Sequence, residues 1–119
     1  DSGTSFHLSR ALGPAAANAA FLRNRRLTAN DLAACGLADE VVPDGEVRPA
    51  ARRLAAEVAG ASPAAVVATR RLVDAALTNS FDTHLDAEQQ AIRGLWNSAD
   101  VLEGMTAFVE RRRPRFQGP

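Results

Sequence analysis

Apolar residues recur at helical spacing along most of this chain, and each such stretch is bounded by a residue that caps or breaks a helix. That pattern confines the chain to an array of short helices, because a half-buried strand would need alternation with a period of two. Leu12-Gly13-Pro14 opens an alanine-rich helix to about Leu22, with Pro14 in the first turn, where its missing N–H costs nothing. Before it, Asp1-Ser2-Gly3-Thr4 is turn chemistry, and the stretch up to Leu12 reads as an opening loop. Thr28 suits the N-cap of a short helix over residues 29–35, and Gly36 its stop. Residues 37–42 end in Val41-Val42 before Pro43-Asp44-Gly45, a short extended segment followed by a turn.

Beyond that turn the helical spacing resumes. A helix is expected over 47–58, stopped by Gly60, and another from Ser62-Pro63, with Val66, Val73 and Leu77 on one face and Asn79 and Ser80 closing it. A longer helix over 83–97 carries Leu85, Ile92, Leu95 and Trp96, its stripe interrupted by Glu88 and Gln89. The last opens with Asp100-x-x-Glu103, a capping-box spacing with aspartate in the serine position. Val101, Met105, Phe108 and Val109 then share one face until Pro114. An aromatic content of only 5 % points the same way, towards closely packed helices and away from a β-sandwich.

Several function classes drop out early. Fourteen basic residues, all arginine, balance fourteen acidic ones, so no charge excess favours nucleic acid or a membrane surface. Cys35 stands alone, which precludes an internal disulfide and fits a reducing cytosol. No apolar run approaches the roughly 20 residues of a membrane span. His7 and His84 are far apart in sequence, which argues against a metal site.

Three segments, in order, carry something more specific. Asp1-Ser2-Gly3-Thr4-Ser5-Phe6-His7-Leu8-Ser9-Arg10-Ala11-Leu12-Gly13 resembles, without a gap, the loop-and-helix segment after the active-site strand of phenylacetate-pathway-type isomerases in the crotonase superfamily. Leu27-Thr28-Ala29 through Cys35-Gly36-Leu37-Ala38 to Val41-Val42-Pro43 is similar to that superfamily's helix–Gly-Leu–strand element. Glu103-Gly104-Met105-Thr106-Ala107-Phe108-Val109-Glu110-Arg111-Arg112, with Pro114-Arg115-Phe116 behind it, resembles its closing Glu-Gly-x-x-Ala-Phe-x-Glu-Lys-Arg signature. Thr4 replaces the usual second glycine of the first segment, His7 an apolar residue, Ser9 a proline, and Arg111 the lysine of the last. The Thr4 exchange bears on the loop, because glycine permits backbone angles that threonine avoids.

The resemblance implies a mainly α chain, the C-terminal helical portion of a crotonase-like (ClpP/crotonase) α/β spiral fold. It divides the chain into the end of the core, residues 1–45, and a helical oligomerisation or lid region, residues 46–119. The spiral core and its two oxyanion-hole N–H groups are then expected upstream, with this chain a fragment of a cytoplasmic enzyme. What it further implies is an enoyl-CoA hydratase or isomerase acting on acyl-CoA, with coenzyme A as part of the substrate and no separate cofactor. A homotrimer or dimer of trimers is the implied assembly, with neither nucleic acid nor membrane as partner.

For the site, the resemblance implies three residues. Asp1 stands where several double-bond isomerases place a catalytic aspartate and hydratases commonly carry glycine; by composition alone it is a turn former. A carboxylate beside an apolar acyl pocket would be poorly solvated and raised towards a useful pKa. Arg111 matches a lysine near the CoA adenine and phosphates, and equally suits a helix C-terminus. Ile92 falls where some hydratases present phenylalanine to the adenine, and isoleucine cannot stack. The other candidates are structural: Cys35 as a small buried residue, and Glu88 and Gln89 as a polar subunit contact. The cluster Arg111–Arg113 with Arg115 lacks, beyond Phe116, the interleaved aromatics of a nucleic-acid site.

Overall fold

A computed structural model describes residues 2–118, so Asp1 and Pro119 lie outside the described residues. Among these the chain forms seven α-helices, one 3-10 turn and no strand. It divides into two compact units, Asp1–Val47 and Arg48–Pro119.

In the first unit, α1 (Thr4–Leu12) packs on α2 (Pro14–Leu22), with Ala17 and Ala20 buried. The sequence predicts a loop where α1 stands. Its opening Ser-Gly-Thr-Ser run favours turns, and a nine-residue helix is marginal alone, so packing against α2 is what decides the helix. Helix α2 ends in a Schellman motif. Asn24 takes φ 49°, its N–H donates to the Phe21 carbonyl, and the Arg25 N–H reaches back to Ala20. Helix α3 (Ala29–Ala34) begins at Thr28 as predicted, with a complete capping box. The Asp31 N–H donates to the Thr28 hydroxyl oxygen at 3.2 Å, and the Thr28 N–H donates to the Asp31 carboxylate at 2.8 Å. Gly36, at φ 76°, closes it with a second Schellman motif. The extended stretch predicted over 37–42 is irregular, since no described segment offers it a ladder of backbone partners.

The second unit holds α4 (Val47–Ala59) beyond its first residue, α5 (Pro63–Ala76), α6 (Phe81–Leu95) and α7 (Ala99–Val109). Ser62 caps α5 by accepting the Ala65 N–H, and α5 packs on α6. Ser80, predicted to close α5, instead caps α6 by accepting the Thr83 N–H, so α6 starts two residues earlier than expected. At α7 the N-cap is Ser98, which accepts the Val101 N–H at 3.3 Å. The predicted Asp100–Glu103 capping box does not form, because both carboxylates face the chain that returns after α7.

Small residues occupy the interior: the buried described residues are Ala17, Ala20, Ala50, Ala107, Ser62 and Asp100. The predicted apolar stripes exist at the predicted spacing but remain largely exposed, with Val73, Leu77, Ile92, Trp96, Met105 and Val109 all open and Phe108 85 % exposed.

Candidate functional site

Two places carry the chemistry named by the sequence: the turn entering α1, and the chain reversal after α7. Asp1 lies outside the described residues. The turn beside it is unusual, with Ser2 and Gly3 both left-handed, at φ 55° and 77°. Gly3 supplies the N-cap of α1 with no side-chain cap bond. Thr4, which replaces a glycine, begins α1 instead of occupying the left-handed position, so the exchange leaves the turn intact. The His7 ring packs over Gly3: a Cβ there would lie 3.4 Å from His7 Cδ2. His7 also meets Phe6 edge-on at 5.2 Å, and the Arg10 guanidinium stacks 3.5 Å from the centre of the Phe6 ring.

After α7 the chain makes a third Schellman motif, this time without glycine or asparagine. Arg111 takes φ 54°; its N–H donates to the Phe108 carbonyl at 3.2 Å, and the Arg112 N–H to Ala107 at 3.0 Å. Arg112 then turns back on the helix. Its NH1 and NH2 groups donate to the two Glu103 carboxylate oxygens at 2.6 and 2.9 Å, and its Nε donates to Glu110 at 2.6 Å. The Arg115 N–H adds a third bond to Glu103 at 2.7 Å. These bonds from Arg112 and the Arg115 N–H, with the arginine charges, hold the Glu103 carboxyl down at about 2. Its grip raises the Arg112 guanidinium in turn. Further along, the Gln117 N–H donates to buried Asp100 at 3.1 Å, and Phe116 lies against Gly104, where a Cβ would stand 3.6 Å from the ring.

Of the three residues singled out by the sequence, Arg111 is exposed at this reversal and Ile92 is exposed on α6, on separate elements. Cys35 is half-buried and donates its thiol to the Leu32 carbonyl at 3.2 Å. Glu88 faces His84 at 3.7 Å one turn away on α6, and His84 Nδ1 is buried without a hydrogen-bond partner among the described residues. His7 and His84 fall in different units. Sequence reasoning missed the Glu103–Arg112 pair. The only signal was acids at 103 and 110 with an arginine at 112, and the Asp100–Glu103 spacing drew Glu103 towards a cap instead.

The helical arrangement is that of the crotonase fold. It superposes on an enoyl-CoA hydratase from Mycobacterium tuberculosis with a TM-score of 0.90 and 32 % identity, covering 98 % of this chain and 46 % of that one. An enoyl-CoA hydratase from a Polaromonas species gives a TM-score of 0.93 at 26 % identity, again over 98 % of this chain and 46 % of the other. The family profile described as "Enoyl-CoA hydratase/isomerase" matches residues 1–119, and the chain belongs to that family. Curated relatives include a carnitinyl-CoA dehydratase from Proteus mirabilis, 31 % identical over 99 % of this chain and 47 % of the relative. A 1,2-epoxyphenylacetyl-CoA isomerase from Escherichia coli is 32 % identical over 99 % of this chain and 45 % of its own length. The chain thus spans about half the length of the curated relatives it matches.

Proposed function

We propose that this chain is the carboxyl-terminal portion of an acyl-CoA enzyme that moves a double bond through an enolate. Its family membership over all 119 residues carries this reading, and the acidic residue at the opening turn gives it direction. In the reaction, a base removes a proton from the α carbon, the electron pair moves onto the thioester carbonyl oxygen, and the proton is returned to the γ carbon. Two preorganised N–H donors, contributed by the core, hold the oxygen as it gains charge. Asp1 takes the role of proton carrier. Arg111 anchors the coenzyme A phosphates, and Ile92 offers the adenine an apolar contact rather than a stacking ring.

Hydration of the same substrates is the second reading, favoured by the enoyl-CoA hydratases among the structural relatives. The enzyme is proposed to work as a homo-oligomer. A non-catalytic assembly role for the chain by itself is the remaining alternative, and its exposed helix faces support it.

Asp1→Asn tests the reading in the enzyme carrying this chain. Asparagine keeps the size of aspartate but accepts no proton, and a general base contributes roughly 10²–10⁴-fold. Isomerase kcat should fall by that factor while KM stays nearly constant; Arg111→Ala should raise KM and spare kcat. Retention of more than about a tenth of the isomerase rate in Asp1→Asn assigns the proton transfer elsewhere and favours the hydratase reading.

A further inference from the structure

The three helix ends built as Schellman motifs use different residues at the left-handed position: Asn24, Gly36 and Arg111. Glycine and asparagine are the ordinary choices, since a longer L side chain there crowds the following carbonyl. Arginine at such a position persists only where its surroundings over-determine the backbone. Here they do. Glu110, on one side of Arg111, bonds the Nε of Arg112 on the other, and Arg112 is itself forked onto Glu103. The Arg115 N–H on Glu103 and the Gln117 N–H on Asp100 then fasten the returning chain along α7.

The charges sort accordingly. Arg112 is neutralised by two carboxylates, whereas the guanidinium groups of Arg111 and Arg113, its neighbours in the chain, make no hydrogen bond or ion pair among the described residues. Both are exposed, and Arg113 borders a hollow with Phe116 and Gly60. A cation fixed at a strained turn, and spared by the acids that engage its neighbour, suits a polyphosphate better than a structural ion pair.

We propose that Glu103, acting through Arg112, is a positioning residue that holds Arg111 in its left-handed conformation for the phosphates of the acyl-CoA; this rests on the acyl-CoA reading given above. In this role Glu103 acts through Arg112 rather than on the substrate itself. Its contribution is to fix the backbone on which the anchoring guanidinium is carried, which lowers the ordering cost of binding.

The test uses the enzyme carrying this chain and one enoyl group presented on two carriers, coenzyme A and pantetheine, which lacks the phosphates and the nucleoside. Glu103→Gln should raise KM for the CoA thioester roughly five- to tenfold, the loss of one ordered charge-assisted contact, while kcat and the pantetheine kinetics stay unchanged. Arg112→Lys, which keeps the charge but loses the fork, should act the same way and serves if Glu103→Gln folds poorly. Arg111→Gly should weaken CoA binding without lowering the melting temperature, since glycine relaxes the turn. Equal loss with both carriers, or a lowered melting temperature with unchanged KM, overturns the positioning role. If Arg111→Ala fails to discriminate the carriers, the anchoring reading falls and positioning with it. If Arg111→Ala discriminates and neither clamp variant does, positioning alone falls.

Discussion

Asp31 and Glu103 are both carboxylates held low by hydrogen bonds, but their bonds do different things. Asp31 is lowered first by the Thr28 N–H and hydroxyl, partners three residues away, so it stabilises one helix start. Glu103 accepts from residues nine and twelve positions on, so it joins the tail to α7. Its folded pKa of about 2 lies below the ordinary 4.5. A depressed carboxylate adds stability that is fully present above its ordinary pKa and is lost as pH falls through the folded value. The tail should therefore stay docked above pH 4.5 and come free as pH drops towards 2. Amide exchange at Arg115 reads this directly: protection relative to Glu103→Gln should shrink across that window. A protection difference that is flat with pH would mean the ionised carboxylate does not hold the tail.

At the scale of elements, serine caps rather than acidic ones start three helices of the second unit, α5, α6 and α7. Ser62, Ser80 and Ser98 each accept an N–H from three residues on. Replacing such a cap with alanine typically costs about 1 kcal/mol. Ser98→Ala should destabilise the chain by about that amount in chemical denaturation. Asp100→Ala should leave the start of α7 intact and expose the Gln117 amide to exchange, because Asp100 binds the tail. Loss of α7 helicity in Asp100→Ala together with a silent Ser98→Ala would restore the capping role to Asp100. The sequence points to Asp100 because Asp100-x-x-Glu103 has capping-box spacing, and only the returning tail draws both carboxylates away from the helix start.

For the molecule as a whole, the exposed stripes are the dominant feature. Phe81, Trp96, Leu102, Met105, Phe108 and Val109 are all largely open, while the buried apolar residues are alanines. Contiguous apolar patches beyond a few hundred Å² on a soluble chain mark surfaces that are covered in use. The isolated 119-residue chain should accordingly self-associate with rising concentration in sedimentation and bind a hydrophobic dye. A monomer at all concentrations with no dye binding would show that these faces find cover within the chain.

The sequence by itself determined what depends on near neighbours. The helix period, Pro14 and Pro63 at first turns, Thr28 with Asp31, and the left-handed Gly36 are written in contacts three or four residues apart. Family membership was legible from three ordered motifs. Tertiary structure decided the rest. Helix α1 forms because α2 gives it a surface, and residues 37–42 form no strand because no described segment pairs with them. Glu103 turns from cap to clamp because a tail twelve residues away reaches it at 2.7 Å. A hydrogen bond over that separation depends on where the chain returns, and the residues between carry no local periodicity that specifies it.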